Sequence, residues 1–196
     1  MVADAQGNDI GAVGVPITGF LGFAPRATGF LTPSAGASPT LTLPAAFKKA
    51  GLIKTDGGFE WTLEPDGDAI EFLQEGYSIP SGLANATLDV GFAQYDDTLR
   101  LIAWGKTPDA NGYMTINAGG HTLGFIVFTE EIFKNGWIRR RQADVNVASA
   151  KIDKTERGNV NGTNVQFKAN PVAELGYDHL GEWWIAPDGT VVPDEV

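Results

Sequence analysis

Apolar and polar side chains alternate along several short stretches of this chain, each bounded by glycine, proline or acidic turn residues. Phe59, Trp61 and Leu63 share one face while Glu60, Thr62 and Glu64 share the other, which predicts a half-buried strand. Pro65-Asp66-Gly67 then predicts a turn. From Leu83 to Gln94 the apolar face is Ala86, Leu88, Val90 and Phe92. His121 to Phe128 is apolar on both faces, as a central strand is. Trp137 to Val147 reads as a long strand, with Ala143, Val145 and Val147 opposite Gln142, Asp144 and Asn146. Val165 and Phe167 alternate with Asn164, Gln166 and Lys168, so 137–170 forms a predicted long hairpin with a charged tip at Lys151 to Asn159. Leu180 to Ile185 is a last short strand, followed by a Pro187-Asp188-Gly189 turn and an acidic tail, Val191 to Val196. Near the start, Ile10 to Ala24 is small and apolar. Its glycines and Pro16 exclude a helix and favour an edge strand.

Two segments have the marks of short helices. Pro44 to Ala50 has Pro44 at a first helical position, Gly51 at its end, and Lys48 and Lys49 in the last turn. In the second, Asp96 is an N-cap, Leu99, Ile102 and Ala103 fall on one side, and Gly105 terminates. Asp96 and Arg100 are spaced for a weak pair. Pro25 to Leu43 has neither period and is read as a long loop, either functional or disordered until a partner arrives. The expectation is one domain over 1–196, mainly β, an antiparallel β-sandwich or barrel with one or two short flanking helices and roughly seven strands.

Composition narrows the chemistry. There is no cysteine, which removes disulfides, thiolate metal sites and a cysteine nucleophile. No apolar run reaches the roughly 18 residues of a membrane span, and Met1 to Asp9 lacks the basic and apolar regions of a secretory signal. These features predict a protein made in a cytoplasm, with no membrane partner. The formal charge is −10, unfavourable for wrapping a nucleic-acid backbone. It is unevenly spread: Lys134 to Lys168 holds eight basic and three acidic residues, a net of +5, and the rest carries −15. That basic segment fits a solvated surface, self-association against an acidic part of another copy, or, least well, a nucleic-acid patch.

Catalytic signatures are scarce. His121 and His179 are the two histidines, and neither has a ligand-spaced partner. No nucleophile elbow or phosphate-cradling glycine motif occurs. Residues 64–71, with Glu64, Asp66, Asp68 and Glu71, offer hard oxygens but lack a calcium-loop pattern, and a solvated acidic turn is the better reading. Glu60 and Glu64 imitate a glycosidase pair, and a wet sheet face explains them as well. Of Trp183 and Trp184, at most one can be an exposed sugar platform, because neighbours on a strand face opposite ways. No cofactor, metal or catalytic residue is assigned. The sharpest local feature is the arginine triplet: Arg139 and Arg141 project together and Arg140 opposes them. With Lys151, Lys154 and Arg157, these are candidate subunit-interface residues, the guanidinium forks suiting carboxylates of a neighbouring chain.

Three stretches carry a resemblance: LPAAFKKAGLIKTDGGFEWT at Leu43–Thr62, LDVGFAQYDDTLRLIAWG at Leu88–Gly105, and IRRRQADVNVASAKIDKTERGNVNGTNVQFKANP at Ile138–Pro171. Their order resembles the major tail protein, or tail tube protein, of long non-contractile-tailed bacteriophages, especially phages of actinobacteria. The resemblance implies a β-sandwich-like barrel with a flanking helix, assembled into stacked hexameric rings as a structural virion protein rather than an enzyme. The tube would conduct genomic DNA without binding it specifically. Tape-measure, tail terminator and distal tail proteins are the implied partners. Six copies carry a net charge of about −60, so an acidic lumen repelling phosphate is expected. The alternative is another virion component or a carbohydrate-binding module, such as a head decoration or receptor-binding tail protein.

Overall fold

The computed structural model describes residues 5–6, 8, 10, 13–55, 58–79 and 81–190. Part of the N-terminal segment and the acidic tail 191–196 lie outside the described residues. Among the described residues ten strands appear in chain order: β1 Pro16–Pro25, β2 Lys48–Lys49, β3 Phe59–Asp66, β4 Ile70–Glu71, β5 Ser78–Ile79, β6 Leu83–Phe92, β7 Gly124–Phe133, β8 Ile138–Ile152, β9 Thr163–Asn170 and β10 Gly181–Ile185. The helices are α1, Pro33–Gly36, and α2, Asp97–Trp104. The fold is mainly β, as expected, and the strands beyond the expected seven are the two-residue pieces β2, β4 and β5. No helix among the described residues is long and apolar enough to cross a membrane.

Eight strands form one antiparallel sheet in the order β2-β1-β7-β8-β9-β6-β3, with β10 also paired to β8. β8 is the hub. Its first residues, Ile138 to Gln142, lie between β7 and β10, and its later ones, from Asp144 to Ile152, pair with β9 with an irregularity between Val147 and Ser149. The sheet rolls up on itself: Phe23 of β1 meets Phe92 of β6 and Phe167 of β9 at ring-centroid distances of 6.4 and 5.4 Å. A seam closes the roll. Gly22 and Phe23 pair with Lys49 and Lys48, the Ala50 amide donates to the Leu21 carbonyl, and Ile53 bridges Phe92. The outer edge of β1 and the end of β6, beyond its pairing with β3, are thus stitched by one short segment. Leu88, Phe92, Val127, Ala143, Val145 and Phe167 fill the interior, with α2 packed against the same core.

α2 forms where its local signals place it. The Asp96 carboxylate accepts from the Leu99 amide at 2.9 Å, Gly105 ends the helix at φ 68°, and Leu99, Ile102 and Ala103 are buried. The expected Asp96–Arg100 pair does not form. Asp96 is occupied by Leu99 and by the Gln94 amide, and Arg100 turns to Asp97 at 3.1 Å instead.

The helix expected over Pro44–Ala50 is absent. Phe47 closes a turn onto the Pro44 carbonyl, and Lys48–Lys49 is β2. The cause is burial: Phe47 belongs to the cluster outside the sheet and Ala50 to the interior core. Residues three apart on a helix share a face and cannot serve two clusters on opposite sides of a sheet. The turn at Pro65-Asp66-Gly67 comes late, since Pro65 and Asp66 still pair with β6 and Gly67, at φ 92°, makes the bend. An edge strand tolerates a residue without an N–H. The strand expected from Ile10 starts at Pro16. Among the described residues β2 is the strand on its outer edge, which fits the edge reading. His121 precedes the central strand, which begins at Gly124.

The long loop 25–43 is a folded strap, not an open one. It makes a 3₁₀ turn at Arg26–Thr28 and then α1, capped by Thr32. It lies over a second apolar cluster on the outer face of β7, β8 and β10, including Ile126, Phe128, Trp183 and Ile185. Gly36 is required by close approach, because a Cβ there would fall 2.2 Å from the Trp183 ring.

Candidate functional site

β8 carries its three arginines in the expected alternation, and register supplies their partners. Arg139, Arg140 and Arg141 stand opposite Glu131, Glu130 and Thr129 of β7, and opposite Trp184, Trp183 and Glu182 of β10. Arg139 is held bidentately by Glu131, Nε to Oε2 at 2.8 Å and a terminal nitrogen to Oε1 at 3.0 Å. It also lies over the rings of Phe133 and Trp184 at 5.3 and 5.9 Å. Arg141 bonds to Glu182 and comes within 4.0 Å of Glu131. These two are half-buried.

Arg140 points to the other face and is 2% exposed. Its Nε donates to Glu130 at 2.6 Å, and one terminal nitrogen donates to the carbonyls of Gly36 and Ser38, both at 2.6 Å. Beside it, Gln142 accepts from the Leu31 amide at 2.9 Å and donates to the Leu31 carbonyl at 3.1 Å. The Trp183 indole N–H donates to the Pro33 carbonyl at 2.9 Å. Three side chains of the sheet therefore hold the strap by its backbone. Assigning all three arginines to a neighbouring chain needs correction for Arg140, which is spent inside its own molecule. Arg139 and Arg141 also have carboxylates of their own. The missed partners had a signal: Glu130 and Glu131 mirror Arg140 and Arg139 about Asn135-Gly136, a strong hairpin turn pair.

The other three candidate interface residues sit far away. Lys151 is exposed near the end of β8, about 33 Å along the strand from Arg141 at 3.3 Å per residue. Lys154 pairs with Glu156 at 2.7 Å at the exposed hairpin tip, and Arg157 is exposed in the same turn. The basic segment is thus two separate regions rather than one patch. At the tip's base Asp153 is bonded to Lys54 and accepts from the Gly162 amide at 3.0 Å and from Asn164 at 2.7 Å. The Lys154 and Asn159 side chains hold the Glu156 carboxyl below its usual range.

The remaining candidates separate. His121 donates from Nε2 to the Ile102 carbonyl at 2.8 Å and accepts at Nδ1 from the Leu123 amide at 3.2 Å, which ties it to the end of α2. His179 is half-buried before β10. Glu60 and Glu64 share the exposed face of β3, opposite Asp89 and Asn85. Among the described residues no three His, Asp or Glu side chains converge on a point that could hold a metal, the 64–71 turn included. Trp183 is buried under the strap, which removes it as a sugar platform. Trp184 stacks on Trp137 at 5.4 Å on the opposite face.

Two surfaces stand out that the alternation pattern had not marked. Every described residue from 63 to 79 is exposed. Within it β4 and β5 pair Ile70 with Ile79 and Glu71 with Ser78, and the Phe72 amide donates to the Tyr77 carbonyl at 3.1 Å. Ile70, Phe72, Tyr77 and Ile79 share one face of this ribbon, and Leu73 next to its turn is 99% exposed. Elsewhere, an apolar groove of about 280 Å³ lies between the end of β1, the 45–46 turn and α2.

No protein family matches this chain, and no curated protein matches it. The fold defines the class only as a mainly β protein with a rolled antiparallel sheet.

Proposed function

We propose that this chain is a structural protein of the phage tail tube, self-assembling into stacked hexameric rings that form a passive conduit for DNA, and that it is not an enzyme. The observation that carries this reading is the open edge of β3. Among the described residues β3 has β6 as its one strand partner, and Phe59 to Glu64 offers an unblocked run of backbone donors and acceptors before Pro65. Glu60, Glu64 and Pro65 blunt this edge in a lone copy without pairing it, and a closed ring of copies removes it. The resemblance of Leu88–Gly105, a strand leading into α2, and of Ile138–Pro171, the basic strand with its partner, supports the tube form in particular, while 43–62 lacks the helix that the resemblance implied there. Tape-measure, terminator and distal tail proteins are the partners that form implies, with the virion as its location.

Negative-stain electron microscopy of the purified protein over a concentration series is the test. Rings of six and tubes are expected. A particle that stays monomeric at every concentration, or a permanent dimer, overturns the reading.

A further inference from the structure

The ribbon Ile70–Ile79 is the least self-sufficient part of the described molecule. A two-stranded hairpin alone is marginal in water and normally needs a third strand or a packed face. Here Ile70, Phe72, Tyr77 and Ile79 are each about half exposed or more, and Leu73 is almost fully exposed. No described part of its own chain supplies the cover. The ribbon leaves the sheet at Asp66 and Leu83, whereas the apolar groove lies beside α2, reached from the far end of β6. The β3–β6 ladder from Leu83 to Val90 puts about 23 Å between those ends at 3.3 Å per residue.

We propose that the ribbon is a docking arm whose occupant site is the groove of a second copy of this chain, with Leu73 and Phe72 entering between Phe23, Pro25, Ala46, Leu101 and Phe125. Two observations select a second copy. The groove is lined almost wholly by apolar side chains and is large enough for the Leu73 side chain and part of Phe72. Charge complements it: residues 66–79 carry Asp66, Asp68, Glu71 and Glu75 with no lysine or arginine, and Lys48 stands exposed on the groove. Opposite charge of this kind steers and registers a contact between copies. In this proposal the arm of each copy enters the groove of the next rather than exchanging arms within a closed pair, which makes the contact head-to-tail and lets it propagate from copy to copy. It deepens the self-assembly reading and rests on it for its purpose, but it is tested separately.

The absence of cysteine makes the test direct. Full-length Leu73→Cys and full-length, tagged Ala46→Cys are mixed and oxidised, and the tagged heterodimer is read on a non-reducing gel. Leu73→Cys mixed with tagged Tyr113→Cys, an exposed loop position, gives the random rate. The expected rate for the 73–46 pair is at least about tenfold above that control, the ratio a contact of modest affinity provides. It should fall on adding Phe72→Asp or Lys48→Glu, and the Lys48→Glu loss should be recovered by Glu71→Lys with Glu75→Lys. Equal rates for the two pairs overturn the docking arm, even if rings and tubes form. Strong cross-linking in a protein that never forms rings supports the arm and removes the tube.

Discussion

Arg140 of β8 and Glu130 of β7 meet across the outer face of the sheet, Nε to Oε2 at 2.6 Å, and the same guanidinium reaches the carbonyls of Gly36 and Ser38. One buried cation therefore joins the sheet to the strap. Its removal leaves a carboxylate and two carbonyls without their donor. Arg140→Met is expected to cost about 3 kcal/mol, the loss seen when one partner of a buried pair is deleted. Urea unfolding measures it, and hydrogen exchange should show residues 31–38 losing protection before the interior strands do. Removing both partners, Arg140→Met with Glu130→Gln, should recover part of the loss.

The barrel interior depends on contacts between strands remote in sequence. Phe23 touches Phe92, Phe125 and Phe167. Phe23→Ala is expected to destabilise by about 3–5 kcal/mol, as large aromatic truncations in a packed core do. A midpoint shift in urea at unchanged slope would show this; an unchanged midpoint would mean the roll does not close as described.

Arg141 and Glu182 pair between β8 and β10 with Glu131 nearby. Arg141→Glu places three carboxylates together and should weaken the fold itself, so loss of assembly in that variant alone would be ambiguous. The exchange Arg141→Glu with Glu182→Arg restores the pair. It should recover stability, read by thermal unfolding, and assembly that returns with it assigns Arg141 a role within the subunit. Assembly that stays lost assigns it to the interface.

Asp109 folds its own loop: its carboxylate accepts from the amides of Asn111 at 2.8 Å and Tyr113 at 2.9 Å, and these bonds lower its pKa from the ordinary aspartate value. A lowered folded value means the contribution is fully present above the ordinary pKa and is lost as pH falls through the folded one. The Tyr113 and Asn111 amide resonances should therefore move with a midpoint below the usual aspartate one in an acid titration. Asp109→Asn should flatten that titration.

How far the residues themselves disclosed this arrangement depends on the distance over which each feature is decided. α2 was legible because its cap at Asp96, its apolar stripe and its stop at Gly105 are all local. β6 and the 137–170 hairpin were legible from period two. The fate of Phe47 and Ala50 was not, because two clusters on opposite sides of the sheet decide it. The strap was read as open loop because its holders lie far along the chain, Trp183 being 150 residues from Pro33. The partners of Arg139 and Arg140 were within reach through the Asn135-Gly136 turn. Neither the ribbon face nor the groove has a signature short of the folded surface, since each is defined by what fails to cover it.

The seam between β1 and β6 is a narrow line in the molecule: two residues of β2, the Ala50 amide on Leu21 and the bonds of Leu52 to Lys54 with the end of β6 close the rolled sheet over its packed interior. In the tube we propose, a wall built of such units would inherit that line once per copy. Radial strain on the assembly would then be relieved by many small, reversible partings spread around the circumference, rather than by the rupture of one joint.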